Sequence, residues 1–291
     1  MQNWPGEGVE YWTIEPCEDL ERNLTGLGSV KIFHAKGELV PHYPETTLTV
    51  PPGYKILGGG ARVNWSEPGN LLTASFPKDA RTWVAKAKDH LEDSPANIDV
   101  WAIAIHDPKN ECQVDIFSKE SAADKHPSTT ATVGEGYALT GGGAQANWKG
   151  EGSLLTASYP EGSRHWVAAS KDHAKVEIAT ITAYAIGIRA ADNASSPLKK
   201  IFEMKMFETR TFTNTGASAK HPSAEIFTGP DYVLVGGGAQ VNWQGEGNLL
   251  TASYPDRNTW KVASKDHKPP GESCTITAYA IGARVRSGAT G

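Results

Sequence analysis

The stretch GGGAQVNWQGEGNLLTASYPDRNTWKVASKDH, Gly236 to His267, decides the fold, because the chain contains it three times. Nearly the same text runs from Gly141 to His173 as GGGAQANWKGEGSLLTASYPEGSRHWVAASKDH. A looser copy runs from Gly58 to His90 as GGGARVNWSEPGNLLTASFPKDARTWVAKAKDH. Gly58 to Gly141 is 83 residues and Gly141 to Gly236 is 95, so each unit sits near the lower end for a self-sufficient core. We divide the chain into an N-terminal extension (1–28), repeat 1 (29–107), repeat 2 (108–191) and repeat 3 (192–291).

Outward from that stretch, each unit follows one plan. A strand opens it, VKIF at Val30, VDIF at Val114 and KKIF at Lys199. A polar loop ending in His and Pro follows, then a short strand, then a Tyr leading into the glycine triplet. Glycine has no side chain to pack, so a run of it in a strand is kept for a bulge or for close approach of another backbone. Its recurrence predicts that the units meet, or that a neighbouring strand crosses, at the glycines. Asn147-Trp148-Lys149-Gly150-Glu151-Gly152 then makes a Gly-rich hairpin, and Pro160 is expected to end the strand after it. Alternation places Trp166, Ala168, Ser170 and Asp172 on one face and Val167, Ala169, Lys171 and His173 on the other. ITAYAIG at Ile181 and Ile276, matched by IDVWAIA at Ile98, is apolar on both faces and reads as a central, doubly covered strand.

This gives about six short strands per unit, turn signals between them and no helix. The expected fold is all-β: three tandem antiparallel β-sandwich-like repeats arranged around a pseudo-threefold axis, an arrangement that also protects sheet edges. Outside the repeats, VEYWTI (Val9 to Ile14) is a candidate strand, and Glu18, Asp19 and Glu21 a solvated turn. DNASSP, ahead of repeat 3, reads as a linker, and FEMKMFETRTF as an added strand or hairpin.

Composition narrows the function. A net charge of −5 and no basic stripe argue against nucleic acid as partner. No apolar run approaches the ~18 residues needed to span a bilayer, so no membrane insertion is expected. The first residues, MQNWPGEGVEYW, have neither the basic start nor the apolar centre of a signal peptide, which points to a cytoplasmic protein or one released without such a signal. Cys17, Cys112 and Cys274 fall at non-equivalent points of the repeat, so they read as free thiols rather than a duplicated disulfide framework.

The candidate ligand-binding residues are the polar and aromatic positions that recur. They are His42, His126 and His221 in the His-Pro loops; Asn64, Asn147 and Asn242 followed by Trp65, Trp148 and Trp243 at the hairpin; and the pairs Asp89-His90, Asp172-His173 and Asp266-His267. Glu151 and Glu246 recur in repeats 2 and 3, where repeat 1 has Ser66-Glu67-Pro68. Trp beside Asn offers an apolar face with a donor and an acceptor, which is what a sugar requires. The competing reading makes Trp a core residue and Asn a turn starter. Asp-His could serve as a base or as metal ligands, but neighbouring strand residues point to opposite faces, so neither a dyad nor a metal or cofactor is expected from one pair. No GxSxG, HExxH or Walker loop is present.

The GGGA…LLTASYP…W…AYAIG pattern resembles small β-sandwich repeats of secreted actinobacterial proteins of unknown function, whose bracketing cysteines are absent here. In layout and last strand the unit is also similar to the H-type lectins, six-stranded sandwiches that assemble as threefold trimers and bind N-acetylgalactosamine-like sugars. That resemblance implies the fold; no binding motif aligns, and no lectin residues are carried over.

Three retained copies favour binding over catalysis, because several equal sites raise avidity without new contacts. The expectation is a multivalent, lectin-like protein with three related sites and a carbohydrate or glycoconjugate partner. The alternatives are a glycan-active hydrolase or lyase with one active copy or an axial site, and a structural or partner-binding module.

Overall fold

A computed structural model describes residues 21–66, 69–266 and 271–286. After β1 (Arg22–Leu24), repeat 1 forms β2 (Gly28–Lys36), β3 (Glu45–Thr49), β4 (Tyr54–Asn64), β5 (Asn70–Asp79), β6 (Thr82–Asp89) and β7 (Asn97–His106). Repeat 2 forms β8 (Cys112–Glu120), β9 (Ser128–Thr132), β10 (Ala138–Asn147), β11 (Leu154–Glu161), β12 (His165–Lys171) and β13 (Thr180–Ala190). A helix α1 (Ser196–Glu203) precedes repeat 3, which forms β14 (Phe207–Thr215), β15 (Ser223–Phe227), β16 (Val233–Asn242), β17 (Leu249–Asp256), β18 (Thr259–Lys265) and β19 (Thr275–Val285).

The fold is all-β, with three antiparallel sheets ordered β1-β2-β7-β4-β17-β18-β15, β3-β6-β5-β10-β13-β8 and β14-β19-β16-β11-β12-β9. Each sheet joins three strands of one repeat to three of another, and each repeat contributes to two sheets. The joins all have one form: the glycine-triplet strand of one repeat pairs with the TASY or TASF strand of another. Ala61 faces Ser253, Ala144 faces Ser75, and Ser158 faces Ala239. The apolar strands β7, β13 and β19 lie between two strands of their own repeat, as their two-sided hydrophobicity requires.

The glycines permit these joins. A Cβ on Gly58 would stand 2.8 Å from the Cα of Gly236, one on Gly141 would stand 2.8 Å from the Cα of Gly58, and one on Gly236 would stand 2.9 Å from the Cα of Gly141. Real Cβ atoms essentially never come that close, so the first glycines of the three triplets are in main-chain contact with one another. The second glycines, Gly59, Gly142 and Gly237, lie under the indoles of Trp83, Trp166 and Trp260. These tryptophans are at most 1 % exposed, and each donates its indole N–H over 3.0 Å to a serine on the neighbouring strand: Ser75, Ser158 or Ser253. Burying one such side chain contributes about 1.5–3 kcal/mol, and the hydrogen bond removes the cost of an unpaired indole N–H. The third glycines, Gly60, Gly143 and Gly238, admit the partner repeat's TASY or TASF backbone. One buried apolar cluster runs through all three repeats, and Leu71, Leu154 and Leu249, one per repeat, form a second.

Four sequence expectations change. KKIF at Lys199 does not open repeat 3; it lies in α1, and β14 takes the strand role, pairing with β19 as β8 pairs with β13. Ser195 and Pro197 start a helix there, and Leu198 and Ile201, three apart, bury one helical face. The expectation of no helix is corrected by the same element. FEMKMFETRTF divides between the helix end and β14. Pro160 stands inside β11, opposite Trp166, and the strand runs on to Glu161. Cys112 and Cys274 are free and buried, and burial pushes their thiols up to about 12 and about 11. Val9 to Ile14, Cys17, Glu18 and Asp19 lie outside the described residues. No helix among the described residues is long and apolar enough to cross a membrane.

Gly141→Ala should destabilise the protein by about 1–3 kcal/mol, because the added methyl meets backbone that cannot turn aside. Gly150→Ala, whose Cβ would meet only the Glu177 carboxylate at 3.6 Å, should stay within about 0.5 kcal/mol. Thermal unfolding of the two variants checks this, and equal losses would contradict main-chain contact at the triplets.

Candidate functional site

The recurring residues converge where the repeats join, not within single repeats. The Trp of each hairpin follows the last residue of a glycine-triplet strand and turns towards another repeat. Trp148 lies over Lys88 of repeat 1, with the ammonium 4.1 Å from the ring centroid. Trp243 lies over Lys171 of repeat 2 at 4.4 Å, and Trp65 over Lys265 of repeat 3 at 3.9 Å. Each lysine is buried at 1 % exposure or less, and Lys88 and Lys171 are held by hairpin carbonyls as well as by the ring. Lys88 donates to Gly150 O (2.9 Å) and Gly152 O (2.5 Å), and Lys171 to Gly245 O (3.2 Å) and Glu246 O.

Beside Trp243 and Trp65 stands the His-Pro-loop histidine of the same repeat as the lysine. His126 meets Trp243 edge-on at 5.4 Å, and His221 lies 6.0 Å from Trp65. At the first junction Tyr43 intervenes, 5.5 Å from Trp148 and 6.0 Å from His42. The loop histidine takes the strand-end aspartate as partner: His42 donates through Nδ1 to Asp89 (2.7 Å), and His126 through Nε2 to Asp172 (2.8 Å). The Asp89 hydrogen bond raises the pKa of His42 above the usual histidine value. His42 and His126 are exposed, while Asp89 and Asp172 are largely covered, so each carboxylate presents an imidazole to solvent.

The neighbours of these aspartates face the other way. His90 is held through Nδ1 by the Glu151 carbonyl and His173 by the Glu246 carbonyl, each at 2.8 Å, and the two rings touch with centroids 5.1 Å apart. The alternation of a strand separates Asp89 from His90 and Asp172 from His173. Glu151 and Glu246 thus serve through main-chain oxygens, and the Glu151 side chain is 59 % exposed. Asp266 accepts the Glu272 N–H. His267, Glu67 and Pro68 lie outside the described residues.

The asparagines do not join the tryptophans that follow them. Asn147 donates to Thr180 (3.0 Å) and Thr182 (3.1 Å), and Asn242 to Thr275 (2.9 Å) and Thr277 (3.1 Å). Asn64 donates to Asn97 (2.9 Å) and Asp99 (2.8 Å). They tie the strand end to the central strand of the same repeat. Sequence reading missed the lysines, although Lys precedes Asp-His in all three copies, because a lone Lys at a strand end ordinarily reads as exposed.

One grouping could hold a cation: His42 Nδ1 and the carboxylates of Asp89 and Asp93 lie within 4.8 Å of one another, the one such set among the described residues. Val176 stands at the matching place in repeat 2. The first two junctions offer a half-buried indole, an exposed imidazole and a carboxylate, which together can hold hydroxyls and an apolar C–H face.

Burial lowers the pKa of Lys88 to about 8 from its usual 10.5, and lowers that of Lys171 in the same direction. Between about 8 and 10.5 the unfolded chain binds more protons at Lys88 than the folded one, so stability gains from this group as pH rises through that window. The stability of wild type minus that of Lys88→Met, followed by denaturant unfolding, should therefore rise from pH 8 to pH 10. A flat difference would mean that the ammonium is not penalised under Trp148.

Neither a known protein family nor a curated protein matches the chain.

Proposed function

We propose that the protein is a multivalent carbohydrate-binding protein, lectin-like in the way it uses repeated weak sites, with its three repeats set around a pseudo-threefold axis. The observation that carries this reading is convergence. At the second and third junctions a loop His of one repeat and a hairpin Trp of another come together from distant parts of the chain, at the first Tyr43 stands between them, and each Trp covers a buried lysine of the histidine's repeat. The His–Asp pairs of the first two junctions supply donors and acceptors for sugar hydroxyls. The half-buried indole supplies the apolar patch for a C–H face. The mutual contact of the triplet glycines, the Leu71, Leu154 and Leu249 cluster and the cyclic sheet joins support the axial arrangement. The His90 and His173 rings touch, which supports a reading with the first two sites near one another. A branched or clustered glycan could then span two of them, raising avidity by about 10²–10⁴ over one site.

The test is a glycan array probed with wild type, with His126→Ala, and with the triple variant His42→Ala, His126→Ala and His221→Ala. These histidines are exposed, so the melting temperature should hold within about 3 °C. Wild type should bind a defined subset of glycans, the single variant should keep binding with lower avidity, and the triple variant should lose it. A blank array for wild type, or undiminished binding by a folded triple variant, sinks the proposal.

A further inference from the structure

One junction carries chemistry that the other two lack. Where β4 meets β7, register sets Arg62 opposite Asp99, and β2 brings His34 opposite Trp101. The same register positions hold Gln145 and Thr182 in repeat 2 and Gln240 and Thr277 in repeat 3. Ser118 or Thr213 replaces the histidine, and Tyr184 or Tyr279 the tryptophan. In those repeats the glutamine accepts the tyrosine hydroxyl and the asparagine bonds threonines; in repeat 2 the exposed Glu120 carboxylate joins at the edge, accepting from Asn147 and Thr180, but a neutral threonine holds the place of Asp99.

In repeat 1 the centre is a carboxylate at 3 % exposure. Asp99 accepts from His34 Nε2 (3.0 Å), Asn64 (2.8 Å) and Arg62 (2.7 Å), and these donors hold it ionised far below the ordinary carboxylate range despite its burial. Burying a charge this way is costly even when paired, and two sister repeats build the same strand crossing without it. The strand crossing itself does not require the charged set. The set also shapes a surface. His34 stacks on Trp101 at 4.8 Å, and Trp101 stacks on Tyr254 of repeat 3 at 4.6 Å. The Arg62 guanidinium lies 5.7 Å from the centroid of Trp101 and 5.3 Å from that of Tyr254. Arg62 remains 43 % exposed, and Asp99 takes only one of its terminal nitrogens. His34 gives its Nε2 proton to Asp99, which leaves Nδ1 as the acceptor nitrogen of the ring, and its side chain is 32 % exposed.

We propose that the face shared by repeats 1 and 3 is a second, unrepeated binding site for an acidic saccharide bearing a carboxylate, a uronate residue. Arg62 takes the carboxylate, the planar anion that a guanidinium matches in shape. His34 and Trp101 carry the sugar ring, with His34 Nδ1 on a hydroxyl. Asp99 is a positioning group: it fixes the histidine tautomer and aims the arginine. It also offsets most of the Arg62 charge, so the site suits a singly charged anion and disfavours a phosphate or a sulfate cluster on a chain of net charge −5. None of these groups belongs to the junction sites above.

Calorimetric titration with a uronate oligosaccharide and with its methyl ester tests this on the full chain. Wild type should bind the acid and bind the ester about ten- to a hundredfold more weakly, as expected for loss of a charged hydrogen bond. The double variant Arg62→Gln, Asp99→Thr carries the residues that repeats 2 and 3 fold with. It should lose affinity for the acid to the same degree while keeping wild-type binding to any neutral glycan. His34→Ser, the residue of repeat 2, should weaken acid binding without restoring the ester. No binding of the acid by wild type, equal binding of acid and ester, or full acid binding by the folded double variant each overturns the proposal. Since the ester comparison uses wild type alone, it decides the matter even if a variant fails to fold.

Discussion

Main-chain contact between repeats at the glycine triplets is the constraint on which everything else rests. A side chain at Gly58, Gly141 or Gly236 would drive the repeats apart, since what it meets is backbone. Once they touch, the strand pairs Ala61–Ser253, Ala144–Ser75 and Ser158–Ala239 follow, and three half-sheets extend into their neighbours. The same closeness lets a hairpin from one repeat cap a buried lysine of another. The candidate sites are thus by-products of the joins: no repeat holds one alone.

The lysines show how polar chemistry is carried into such a join. An ammonium taken out of water needs compensation, and Lys88 and Lys171 receive it from hairpin carbonyls and an indole face. The arrangement fixes the hairpin of one repeat against the strand of the next, and with it the tryptophan beside the loop histidine. Rigidity of this kind is what a shallow site needs if ordering losses are not to cancel weak contacts.

Much of the architecture was legible in the sequence because duplication states each message three times. The triplets announced close approach, the two-sided apolar strands announced their central place, and strand alternation separated Asp from His. The helix was not legible, since SPLKKIF was matched to VKIF and VDIF by text alone, while Pro197 and the Leu198–Ile201 spacing were the local signal for a turn of helix. The site was half legible. Its residue types were visible, but which repeat supplies which residue depends on strand joins between distant segments. The Asn and Trp of one hairpin read as a pair and turned to different partners. Arg62, Asp99 and His34 were hidden for the opposite reason, because attention to what recurs passes over what does not.

Those three residues show what tandem linkage permits. An assembly of identical subunits must write every residue into every interface, so a change that improves one contact is imposed on all. Here each interface has its own stretch of gene. Gln145 with Thr182 and Gln240 with Thr277 hold the matching positions with neutral pairs, while Arg62 with Asp99 puts an ion pair at the third. Joining the copies in one chain turns a symmetric assembly into one whose faces can be altered separately, at no expense to the shared core that the glycines close.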